Sequence, residues 1–175
     1  MDPLTDFEAL YTATYADLLR FVQRRTDRHL AEDAVAEAYV VVWRRWADLP
    51  RDPGDARAWV HGVARQVLLN VQRGDRRRRA LGVRLADARS VTDGDQDAAA
   101  LRIDVARAWD RLTEVHQEAL ALSALDGLTA PQAGQVLGIS PVAYRLRLSR
   151  ARRALRAHLQ LTAPTASERT TCDVS

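Results

Sequence analysis

Three carboxylates, Glu32, Asp33 and Glu37, stand in a stretch of strong helical periodicity, and Asp33 and Glu37 are one turn apart, so they share a surface. Paired carboxylates are the raw material of general acid–base catalysis and of di-metal sites in helix bundles. The partners that either chemistry needs are missing. No Glu-x-x-His pair occurs, and the four histidines, His29, His61, His116 and His158, are scattered. No serine or cysteine stands in a nucleophile motif. An all-α hydrolase on this helix would require a metal beside the carboxylates, and no metal or cofactor site is legible. The helix dipole accounts for Glu32 and Asp33 near a helix start but poorly for Glu37. An acidic docking surface for a basic protein partner therefore stands beside that electrostatic explanation.

A second constellation is basic. The stretch from Leu128 to Leu155, LTAPQAGQVLGISPVAYRLRLSRARRAL, has the signals of two short helices joined by a glycine-containing turn. Thr129 and Gln132 have capping-box spacing, and Gly138 suits a left-handed terminus. Ser140 caps the next helix, with Pro141 at its first turn, where a missing N–H costs nothing. At 100° per residue, Tyr144, Leu148, Ala151 and Leu155 fall within about 40° of one another and form the buried stripe. Leu146, Ser149, Arg150 and Arg153 lie on the far side, flanked by Arg145, Arg147, Arg152 and Arg156.

This is the layout of a helix-turn-helix reader, whose guanidinium groups reach guanine edges and phosphates in a major groove. A solvated surface helix is the plainer reading. Against it, residues 141–160 carry six arginines and no acid, so mutual repulsion is unrelieved without a polyanion.

A third helix, expected to be capped by Asp55 and to reach about Arg73, turns Arg65, Gln66, Asn70 and Arg73 away from its apolar side of Trp59, Val60, Val63, Val67, Leu68 and Val71. Arg76 to Arg79 follow directly. Positive charge mixed with amides near aromatics suits single-stranded DNA better than a closed duplex. A favourable interaction of arginines with a helix C-terminus is the alternative.

Several elements must position these groups. The 175 residues contain 26 basic side chains, all arginine, against 23 acidic ones, for a net charge of +3. The basic residues concentrate in 51–80 and 141–160, which points to two contacts with nucleic acid. Strand signals are nearly absent, so the class is all-α, with two small helical domains joined by a flexible linker.

Helices are expected near Phe7–Arg25 and Leu30–Ala47, the latter with Val35, Tyr39, Val42, Trp43 and Trp46 on one face; Tyr11 faces inward on the first. Pro50, Pro53 and Gly54 break the chain. The small, polar, acidic stretch from about Gly82 to Ala100 reads as linker. Helices near Leu101–Arg111 and Glu114–Leu125 precede the helix-turn-helix pair. The resulting division is 1–80, linker 81–100, 101–161, and a disordered tail 162–175. The single Cys172 fits a reducing compartment. Neither a membrane span nor a signal peptide is legible, and the expected location is cytoplasmic.

Taken together, the chain resembles the ECF (extracytoplasmic function) sigma factors, the short two-domain members of the sigma-70 family of bacterial RNA polymerase. The match spans about Phe7 to Leu159. LAEDAVAEAYVVVWRRW looks like the core-binding helix of the second conserved region, and ARAWVHGVARQVLLNVQRGDRRRR is similar to the helix serving the minus-10 element. LTEVHQEALALSALDGLTAPQAGQVLGISPVAYRLRLSRARRAL is similar to the fourth region.

The resemblance implies a promoter-specificity subunit without catalytic activity that binds core RNA polymerase and promoter DNA, with an anti-sigma factor as a further partner. It implies that Glu32, Asp33 and Glu37 dock on basic clamp helices of the polymerase's largest subunit. It implies that the loop Leu49–Asp55, with Gln66 and Asn70, captures an unpaired minus-10 base. Arg145, Arg147, Ser149 and Arg150 match family positions that read the minus-35 duplex, and the linker would follow the RNA exit path.

The chain departs from the family at Ala133 and Gly134, where a large aliphatic and an alanine are usual, so a loosely packed reader is expected. Leu146 replaces a serine and faces a thymine methyl instead, and Ala143 replaces a threonine, removing one phosphate contact. The competing reading is a stand-alone, dimeric helix-turn-helix regulator.

Overall fold

The computed structural model describes residues 3–74 and 96–162, and among them every regular element is a helix. They are α1 (Pro3–Gln23), α2 (Arg28–Arg44), α3 (Pro53–Gly74), α4 (Gln96–Asp110), α5 (Glu114–Ala124), α6 (Ala130–Leu137) and α7 (Pro141–Thr162), with a short 3-10 turn at Trp46–Asp48. The helices fall into two groups, α1–α3 and α4–α7. Arg76–Arg79, most of the expected linker, and the tail with Cys172 lie outside the described residues.

Two starts differ from the sequence expectation. Asp52, not Asp55, caps α3: its Oδ1 accepts the Asp55 N–H at 2.9 Å. Pro53 and Gly54, expected as breakers, form the first turn, because proline breaks a helix only where its absent N–H is needed. Helix α4 begins at Gln96 rather than near Leu101. The acidic stretch there ends in three alanines, and alanine has the highest helix propensity of any residue.

In the first group, Leu18, Phe21 and Val22 of α1 pack with Val35, Ala38, Tyr39 and Val42 of α2 and Val60, Ala64, Val67 and Leu68 of α3. The buried hydroxyls of Thr14 and Tyr39 satisfy each other at 2.9 Å. Tyr11, Trp43 and Val71, expected inward, are exposed. Three helices bury too little surface to cover every apolar side chain. Trp43 instead presents an edge-on contact to Phe7, with ring centroids 5.1 Å apart.

In the second group, Thr113 caps α5, and Trp109, Leu112, Leu120, Leu122, Leu128, Val136, Tyr144 and Leu148 form the core. The two groups touch: α3 packs along α6, with Gly62 beside Val136, and one buried apolar cluster runs through both.

Candidate nucleic-acid interface and docking face

The reader's two helices are set by local chemistry. Gln132 Oε1 accepts the Thr129 N–H at 3.0 Å, closing the capping box. Gly138 sits at φ +67°, a conformation that disfavours any side chain, and the Ile139 N–H then returns to the Gly134 carbonyl at 2.9 Å. Ser140 Oγ accepts the Ala143 N–H at 3.1 Å, which starts α7 at Pro141.

The expectation of loose packing at Ala133 and Gly134 is overturned. A Cβ on Gly134 would lie 2.8 Å from the Ile139 carbonyl oxygen, so the turn passes over this residue too closely for a methyl group. Ala133 and Tyr144 are both fully buried in the same core cluster.

Along α7, Tyr144, Leu148 and Ala151 are buried and Leu155 half-buried. The Tyr144 hydroxyl donates to the Ala119 carbonyl at 2.8 Å, and burial raises its pKa above the usual tyrosine value. Arg145, Leu146, Ser149, Arg150 and Arg153 are exposed and Arg147 half-exposed, so all six expected groups share one helix. A groove lined by Arg145, Leu148, Ser149, Arg152, Arg153 and Arg156 follows it.

The α3 face is divided. Gln66 and Asn70 are exposed one turn apart, while Arg65 turns back to a carboxylate. Arg73 lies in the last turn of α3, with its side chain outside the described residues. On α2, Glu32, Asp33 and Glu37 are all exposed, beside exposed Val40 and Trp43. Among the described residues no group of three or more His, Cys, Asp or Glu side chains could hold a metal ion.

Sequence reasoning missed one cluster, which lies between the two helix groups. Arg65 binds Glu118 in a two-pronged fork, Nε to Oε1 at 2.9 Å and a terminal nitrogen to Oε2 at 3.1 Å. Asp126 takes Arg24 on one oxygen and Arg25 on the other, the latter at 3.2 Å. Its backbone carbonyl accepts from Arg57 at 2.9 Å.

Arg25 is fully buried, stacked 3.6 Å over the Phe21 ring. Burial pulls its pKa down while Asp126 and Glu118 hold it charged. The signal that could have found the cluster is weak: Glu118 and Arg25 each lie one turn from core residues, Leu122 and Phe21, on otherwise apolar faces.

His61 lies against the same cluster and is fully buried, edge-on to Phe21. Its Nδ1 is 2.8 Å from the Arg57 carbonyl, which only accepts, so Nδ1 carries the proton and Nε2 presents a buried lone pair. Desolvation lowers its pKa to about 4.

An all-helical fold whose second group carries a helix-turn-helix with an arginine-rich outer face defines a DNA-binding protein of the helix-turn-helix class. The family models agree: sigma-70 region 2 matches residues 10–79 and sigma-70 region 4 matches 102–155. The ECF RNA polymerase sigma factor SigL of Mycobacterium tuberculosis is 32% identical over 155 residues, covering 87% of this chain and 88% of the relative. SigC of the same species is 33% identical over 152 residues, covering 85% and 80%.

The chain belongs to the ECF sigma factors of the sigma-70 family. Two solved structures share its fold. The sigma factor RpoE in complex with the anti-sigma factor NepR from Bartonella quintana has a TM-score of 0.64 at 18% identity, covering 90% of this chain and 98% of that one. CnrH in complex with the cytosolic domain of CnrY has a TM-score of 0.59 at 25% identity, covering 90% and 89%. No helix among the described residues is long and apolar enough to cross a membrane.

Proposed function

We propose that this chain is the promoter-specificity subunit of a bacterial RNA polymerase and acts in the cytoplasm without a catalytic step of its own. Residues 1–80 bind core polymerase and the minus-10 element, 81–100 connect, 101–161 bind the minus-35 element, and 162–175 form a tail. Glu32, Asp33 and Glu37 dock on a basic surface of the polymerase. Arg145, Leu146, Arg147, Ser149, Arg150 and Arg153 face the minus-35 groove. Arg65, Gln66, Asn70 and Arg73, with the loop 49–55, hold the opened minus-10 strand. Trapping an extruded base offsets an unstacking cost of a few kcal/mol.

One observation carries this reading: α7 exposes its arginines opposite buried Tyr144, Leu148 and Ala151, so the helix is anchored on one side and free to enter a groove on the other. The complexes of RpoE and CnrH make an anti-sigma factor a candidate partner for this chain as well.

The test is run-off transcription by purified core polymerase on a promoter library, with and without the protein. Transcripts that start at new, protein-dependent positions are the expected result. DNA binding without any change in transcription would instead identify a stand-alone regulator.

A further inference from the structure

Arg45 follows the last residue of α2, and the 3-10 turn after it folds Asp48 back onto its side chain. The Asp48 N–H donates to the Arg45 carbonyl at 2.9 Å. The Asp48 carboxylate accepts from Arg45 Nε at 2.9 Å, and a terminal guanidinium nitrogen is equally close to the same oxygen. Held this way, the guanidinium carbon stands 5.4 Å over the ring of Trp59, which is half-buried in the second turn of α3.

This stack contributes little to the fold, because the Arg45 and Asp48 side chains are 56% and 55% exposed and an exposed ion pair is worth little. Nor is it arranged to grip phosphate, since Asp48 already offsets the charge and takes the in-plane donors. The flat face of the guanidinium turned away from the indole is a different kind of surface. Unpaired bases stack on guanidinium planes as they do on aromatic rings.

Its position fits a strand that lies along α3. At 100° per residue Trp59, Gln66 and Asn70 fall within about 40° of one another, with the two amides about 10 and 16 Å further along the helix. Gln66 and Asn70 are exposed. Arg45 therefore extends their stripe toward the loop 49–55.

We propose that Arg45 is a stacking residue for the opened minus-10 strand: an unpaired base lies on the outer face of its guanidinium, with Trp59 beneath and Asp48 as the positioning residue that fixes the plane. The inference rests on the reading of α3 as the minus-10 face and deepens it. Stacking accepts any base, so Arg45 holds the strand while hydrogen bonds from Gln66 and Asn70 discriminate.

The test uses the full chain assembled with an excess of core polymerase, assembly being checked by gel filtration. Fluorescence anisotropy reads binding to the labelled non-template strand of a promoter found by run-off transcription, across a salt series. Arg45→Ala and Arg45→Lys are each expected to weaken binding about tenfold with the salt slope unchanged, because lysine keeps the charge and lacks the plane. An abasic site moved along the strand should reach one position at which the parent and Arg45→Ala bind equally.

Arg45→Lys that binds like the parent, beside an Arg45→Ala whose salt slope falls by about one, identifies a phosphate contact and overturns the proposal. Variants that all bind like the parent overturn it too. If Arg45→Ala loses helix content by circular dichroism, the comparison of the parent with Arg45→Lys decides. A core-bound parent that holds no strand overturns the minus-10 reading and the stack with it, whereas a parent that holds the strand no better than its Arg45 variants loses only the stack.

Discussion

The phenolic oxygen of Tyr144 lies 2.8 Å from the carbonyl of Ala119, tying the recognition helix to α5 through a fully buried side chain. The orientation of the arginine face follows from this anchor, because rotating α7 would pull the hydroxyl off its acceptor. Tyr144→Phe should lower unfolding stability by about 1 kcal/mol, the usual worth of such a bond, and keep the helix content. Urea titration followed by circular dichroism checks it. A variant as stable as the parent would show that the bond does not hold α7.

Arg150 projects from the exposed side of α7. If it reads a base edge in the minus-35 duplex, Arg150→Ala should weaken binding by about 1–3 kcal/mol and relax specificity at one position. If it touches phosphate alone, the loss should be smaller, uniform across sequences, and accompanied by a salt slope reduced by about one. Footprinting titrations at several salt concentrations separate these outcomes, and no change in either quantity removes Arg150 from the interface.

Asp33 and Glu37 present carboxylates on the outer face of α2 with no role in the core. Asp33→Arg should reduce affinity for core polymerase while leaving duplex binding by the helix-turn-helix intact, since α2 lies in the other helix group. A pull-down titration reads the first quantity and gel mobility the second. Equal polymerase affinity would rule out the acidic docking face.

His61 makes the fold sensitive to acid. Its folded pKa of about 4 lies below the ordinary histidine value of 6.5, so the unfolded chain takes up a proton that the folded chain refuses. Its contribution to stability is complete above about pH 6.5, falls as pH drops through the interval, and is lost near pH 4. The loss amounts to a few kcal/mol on the scale of about 1.4 per pKa unit. Urea midpoints between pH 7 and 4 should show it, and His61→Gln should flatten that part of the profile.

The parts legible in the sequence were those set by neighbours in the chain. The Thr129–Gln132 box, the Gly138 terminus and the Ser140–Pro141 start each involve residues within a single turn, so spacing alone finds them. The α7 stripe was legible for the same reason. The start of α3 was misplaced because Pro53 and Gly54 look like breakers unless the side chain of Asp52 is known to cap them. Looseness at Gly134 was expected from side-chain volume, whereas the fold sets the backbone of Ile139 there.

The arginine–carboxylate cluster was not legible, because Arg65 and Glu118 are 53 residues apart and Arg24 and Asp126 are 102 apart. No local periodicity relates such pairs. The division of the α3 face into exposed Gln66 and Asn70 and a paired Arg65 follows from that contact and was equally out of reach.

Because one apolar cluster threads both helix groups, from Leu18 on α1 to Ala151 on α7, heat should melt the chain as a single cooperative unit. Calorimetry would then give one endotherm with matching calorimetric and van't Hoff enthalpies. Two separate endotherms would show that the contact between α3 and α6 does not couple the halves.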